Sequence, residues 1–143
     1  MTIPEALVLA YEETHYHVYS EPPFYLEVNK YSSALAALYK HYQVYTSAFI
    51  TAWNPFSEQL SDVQNADRHQ QLLKQTKDMD YQVIEGLGQH PSNKWPGEVS
   101  ILVLGIPSFT AKELGEHFAQ NAILFADEKA VSELVYHSKF GSS

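Results

Sequence analysis

The chain contains no cysteine, which removes disulfides, thiolate nucleophiles, iron–sulfur clusters and cysteine-bound zinc together. Only His, Asp and Glu remain as ligand chemistry. Positive charge is scarce as well: nine Lys and Arg stand against seventeen Asp and Glu, a formal net charge of -8. That balance repels phosphate backbones and anionic membrane surfaces, so neither nucleic acid nor membrane is an expected partner. Long apolar runs are also missing. The run at 101–104, extended through Gly105 to Ile106, falls far short of the roughly 20 residues that span a bilayer. The first cation is Lys30, and Glu5, Glu12 and Glu13 interrupt the opening segment; a secretory signal is not expected, and a cytoplasmic location is.

What is present describes a folded chain. With 143 residues, 45% hydrophobic and 18% charged, one domain spanning 1–143 with a single core is expected. Thr2-Ile3-Pro4-Glu5 has the form of a capping box opening a helix to Glu13, with Ile3, Leu7, Ala10 and Tyr11 as its inner stripe. Two β-rich runs, 15–19 and 24–28, flank Ser20-Glu21-Pro22-Pro23 and predict a hairpin. A helix follows from Ser32 or Ser33 to Tyr42, with Leu35, Leu38, Tyr39 and Tyr42 at helical spacing. The nearly continuous apolar run within 45–53 predicts a central strand. Ser61-Asp62-Val63-Gln64 is a second capping box, opening a surface helix to Lys77 with a thin stripe of Val63, Ala66, Leu73 and Leu72. Strands are expected at 81–85, 99–104 and 122–126, with either an edge strand or a helical turn at 131–136. Thr110 and Glu113, with Phe109 stapled to Leu114, read as a further helix start. Asn121 is expected to close that helix in a left-handed conformation. The predicted fold is α/β or α+β: a single two-layer domain with a mixed sheet of about five to seven strands and three or four helices.

The order strand 45–53, helix 61–77, strand 81–85 has the form of a βαβ unit, which would make the two strands parallel neighbours. Their C-terminal ends would open on one edge, bringing together the 54–60 turn, the start of the 61–77 helix and a long 86–98 loop. Clefts outside strand C-termini are habitual ligand sites of α/β sheets.

At this edge the sequence resembles a known family. The runs Ile50-Thr51-Ala52-Trp53-Asn54-Pro55-Phe56-Ser57, Leu60-Ser61-Asp62 with Asn65 and Arg68, Trp95-Pro96-Gly97-Glu98, Leu102-Val103-Leu104-Gly105-Ile106 and Phe118-Ala119-Gln120-Asn121-Ala122 resemble the bacterial family called domain of unknown function 3293. The resemblance covers about 7–135. It implies a small standalone bacterial protein, and it marks positions without implying an activity, cofactor or substrate. Gln89-His90-Pro91-Ser92-Asn93-Lys94 departs from the more acidic, glycine-rich character of the family, which removes any carboxylate a role there would need.

The candidate ligand-binding residues are Asn54, Ser57, Asn65, Arg68, His69, Glu85, Trp95 and Glu98. Arg68 is the one arginine among nine cations, and its planar fork suits a carboxylate or phosphate. Asn65 lies three residues before it on the same helical face. Trp95 suits stacking on a ligand or pinning its loop. No catalytic set is identifiable: Gly86-x-Gly88 lacks the third glycine and helix start of a dinucleotide fingerprint, and no P-loop, nucleophile elbow or zincin signature occurs. His15-x-His17 lacks a third metal ligand, so neither a metal nor a cofactor is expected. Three functions fit these residues. The first is binding of a small polar or anionic molecule at the shared edge. The second is a protein-interaction or inhibitory module whose acidic surface meets a basic protein. The third is an enzyme with His69, Glu85 or Glu98 as acid and base. The sequence leaves the oligomeric state open.

Overall fold

The computed structural model describes residues 1–93 and 95–141. Four helices, α1 (Glu5–Glu13), α2 (Ser33–Tyr42), α3 (Asp62–Asp78) and α4 (Ser108–His117), accompany seven strands: β1 (His15–Val18), β2 (Phe24–Leu26), β3 (Ser47–Thr51), β4 (Gln82–Gln89), β5 (Glu98–Leu104), β6 (Ala122–Ala126) and β7 (Ser132–Tyr136). The strands form one sheet in the order β2-β1-β4-β5-β3-β6-β7. Every ladder is antiparallel, so the fold is α+β and the sheet is not mixed. Residues 131–136 resolve as the edge strand β7, paired with β6.

Period-two alternation along the strands feeds two cores. Phe49, Leu102, Leu104 and Leu124 pack with Leu35 and Tyr39 of α2 on one face. Ala48, Ile50, Ile101 and Val103 pack with Leu72 of α3 and Ala111 and Leu114 of α4 on the other. Helices on both faces make three layers, where two were expected. Gly115 of α4 sits so close to β6 that a Cβ there would lie 2.5 Å from Ile123, which explains a glycine within a helix.

The predicted βαβ unit does not form. β5 lies between β3 and β4 and is antiparallel to both, because β4 turns straight into β5 as a hairpin. The presumed 86–98 loop is mostly strand: β4 continues through Gly86 and Gly88 to Gln89, and the loop shrinks to 90–97. Lys94, within the run that departs from the family pattern, lies outside the described residues. Two strands flanking a common antiparallel neighbour still run the same way, and Thr51 and Gly86 both register against Ser100. The 54–60 turn and the 90–97 loop therefore leave from one edge, through a different topology.

Helix starts differ from expectation at two places. Pro4, not Thr2, caps α1, its carbonyl accepting from Leu7 N and Val8 N at 3.0 and 3.2 Å. Pro107 precedes Ser108 as the cap of α4, since Gly105, at φ +83°, and the buried Ile106 set where the chain turns. Thr110 is thus inside the helix, and Phe109 is 73% exposed and staples nothing. At the other end of α4 the left-handed residue is Ala119, not Asn121. The Ser61–Gln64 capping box of α3 forms as expected. Its inner face forms only in part: Leu72 is buried and Leu73 packs beside it as expected, but Asn65, His69 and Thr76 are the other buried residues, while Val63 is 80% exposed.

Candidate functional site

Beneath α1 lies a cavity of about 580 Å³. Its origin is legible strand by strand, because residues facing this side shrink as each strand approaches the 54–60 turn. β3 passes from Phe49 to Thr51, β5 from Leu102 to Ser100, β4 contributes Gly88 and β6 begins at Ala122, and each of these lines the cavity except Leu102. Thr51 Oγ1 and Ser100 Oγ donate back to the carbonyls of Val99 and Glu98, at 2.7 and 2.9 Å, so neither hydroxyl claims the open volume. Leu7, Ala10 and Tyr11 of α1 form the roof. These are three of the four residues expected as its inner stripe, Ile3 preceding the helix, yet α1 has no fully buried residue, because the stripe faces a cavity instead of a packed core.

Polar groups gather at one end. Asn54, Phe56 and Ser57 all adopt left-handed backbone conformations, an uncommon state for residues other than glycine, and the turn is braced from three sides. Asn54 Oδ1 accepts from Leu60 N at 3.0 Å and from Asn65 Nδ2 at 2.8 Å, while Asn54 N donates to Asn65 Oδ1 at 2.8 Å. Phe56 N donates to Ala119 O at 2.6 Å. Asn121 Nδ2 donates to Ser57 Oγ at 3.0 Å, beside the Tyr11 hydroxyl. Asn54 Nδ2 then reaches Glu98 Oε2 at a long 3.4 Å. Burial pushes the Glu98 carboxyl up to about 7, with the Asn54 hydrogen bond opposing the shift.

Trp95 lines the cavity and is 42% exposed, which puts it at the rim. Its loop is pinned: Gln89 Nε2 donates to Trp95 O at 3.0 Å, and the His90 ring packs 4.7 Å from the indole. His90 Nδ1 accepts from Ser92 N at 3.1 Å, which leaves Nε2–H to donate to Glu13 at 3.1 Å. The 90–97 loop is thereby tied to the end of α1, so roof and rim hold each other.

Of the residues singled out from the sequence, Asn54, Ser57, Trp95 and Glu98 meet at this cavity, and Asn65, 1% exposed, locks Asn54 from behind. Arg68, His69 and Glu85 lie across the sheet. Arg68 Nε donates to Ala52 O at 2.7 Å, and Nη2 donates to Phe118 O. The guanidinium joins the end of β3 to the end of α4 and stacks 5.8 Å from the Phe118 ring. Burial lowers its pKa. His69 Nε2 pairs with Glu85 Oε1 at 2.8 Å between α3 and β4, and His69 Nδ1 has no partner among the described residues. Tyr11, Tyr16, Thr51 and Ser100 also line the cavity, and no motif in the sequence marks them. One signal was available, since eight of the ten tyrosines fall within the first 45 residues, and two of them line the cavity. His15 stacks on Tyr25 at 4.1 Å, near His17, and no cluster of three metal-ligating side chains occurs among the described residues. Nor is any helix among them long and apolar enough to cross a membrane.

A family model described as "Protein of unknown function (DUF3293)" matches residues 50–123. The match takes in Asn54, Ser57, Trp95, Glu98 and Asn121, whereas α1 precedes it. No curated protein and no solved structure matches the chain.

Proposed function

The chain belongs to the DUF3293 family, and from the geometry of its cavity we propose that it binds a small molecule between α1 and the sheet. One observation carries this reading. An apolar chamber within the size range of ligand sites ends in a convergent set of polar groups, Asn54, Ser57, Glu98 and Asn121. A strained turn held by buried amides is what a preorganised site requires. With Arg68 engaged by two backbone carbonyls across the sheet, the ligand is best described as an apolar body with a hydrogen-bonding head, and an anionic head has little to recommend it beside Glu98.

The test fills the chamber from its roof. Ala10→Phe adds a ring on a helical, half-buried position that lines the cavity. Thermal-shift screening of wild type against small aromatic fragments with varied head groups is expected to give stabilising hits, each lost in A10F while the variant keeps its own melting temperature. Hits that survive in A10F, or a wild type that none of the fragments stabilises, would overturn the reading.

A further inference from the structure

We infer that the ligand carries a positively charged amine, seated on Glu98 within an aromatic surround. This rests on the cavity being a binding site and deepens that reading. Four aromatic side chains, Tyr11, Tyr16, Phe49 and Trp95, line the same chamber as the Glu98 carboxylate, and the negative faces of such rings attract organic cations. Tyr16 stands edge-on to Phe49 at 5.3 Å. Tyr11 and Tyr16 both feel the Glu98 charge, so carboxylate and rings share one neighbourhood.

The hydrogen bonds around Glu98 point the same way. Its side chain has a single partner among the described residues, the long contact from Asn54. Carboxylates accept several hydrogen bonds when satisfied, so acceptor capacity is left facing the chamber. The other titratable groups that face it, Tyr11 from α1 and Tyr16 from β1, are phenols whose pKa values burial raises. They remain neutral and do not compete for a cation or supply one. Ser57, which lines the same chamber beside the Tyr11 hydroxyl, adds a further acceptor oxygen. Burial alone costs the carboxylate its charged form near neutral pH, and an ammonium partner in the same low-dielectric space restores it.

The experiment compares three probes of one shape: 3-phenylpropylamine, 3-phenylpropanol and 3-phenylpropanoate, measured by isothermal titration at pH 8. The expected order is amine at least tenfold tighter than alcohol, with the carboxylate weakest. In Glu98→Gln the amine's advantage over the alcohol is expected to fall below twofold. Alcohol or carboxylate binding as tightly as the amine would overturn the amine assignment and leave the cavity reading standing. Failure of all three probes to bind would overturn both. The ranking on wild type decides the matter even if E98Q does not fold.

Discussion

At Glu98 the chemistry of a single carboxyl couples the site to the stability of the chain. Its folded pKa, about 7, lies above the ordinary 4.5 because burial penalises the charged form. Between those two values the folded chain binds the proton more tightly than the unfolded chain does. The contribution to stability is therefore fully present below about pH 4.5 and lost as pH rises through 7. Glu98→Gln keeps the shape and removes the charge. Its stability relative to wild type is expected to be near zero change at pH 4 and to become favourable at pH 8, by at most about 3 kcal/mol, in urea melts at the two pH values. An equal effect at both would show that Glu98 titrates normally. Residue-scale reading of the sequence succeeded where a side chain acts locally, as in the Ser61–Gln64 box. It failed for Arg68, because the carbonyls that occupy its fork, at Ala52 and Phe118, are 16 and 50 positions away in the chain. Scarcity of arginine said that this one mattered without saying to what.

Among the elements, α1 is the one whose sequence pattern and environment disagree. Leu7, Ala10 and Tyr11 make an amphipathic stripe, but no residue of α1 is fully buried, so tertiary packing supplies less of its stability than it does for α2 or α4. In hydrogen-exchange mass spectrometry the α1 amides are expected to exchange faster than those of α4, and saturating 3-phenylpropylamine is expected to slow α1 selectively. Protection of α1 equal to that of α4 before any ligand is added would contradict a helix resting on a cavity. Most elements were legible because periodicity survives burial: α2, the hairpin and β6 appear where alternation and helical spacing put them. The buried stripe of α3 was not legible, since Asn65, His69, Leu72 and Thr76 follow helical spacing with three polar members. Of the four apolar positions expected to face inward, Leu72 is buried and Leu73 packs against the same core, while Val63 and Ala66 face outward. Gly86 and Gly88 read as loop from composition, yet β4 runs on through them to Gln89. Both are strand residues: a Cβ at Gly86 would come within 2.3 Å of His17 O, whereas one at Gly88 would make ordinary contact with Thr14 and Tyr16 at 3.9 Å.

For the whole molecule, the sheet separates two kinds of interior. The face under α3 and α4 is filled, with Ile50, Ile101, Val103 and Leu72 in one packed cluster and Arg68 closing its margin. The face under α1 and α2 is filled only at the α2 end, where Tyr39 O–H donates to Ala126 O at 2.9 Å; toward α1 it opens into the chamber. Strand direction at this scale was half legible. The 54–60 turn and the 90–97 loop do leave from one edge, as expected, but an antiparallel hairpin, which pattern alone cannot distinguish from a crossover, brings them there. The most direct measurement is a two-dimensional amide NMR titration of wild type with 3-phenylpropylamine. Shifts are expected at Gly88, Ser100, the Trp95 indole and the Asn121 side-chain amide, with His69 and Glu85 unmoved; shifts confined to the α3 face, or none at Gly88 and Asn121, would contradict a ligand site beneath α1.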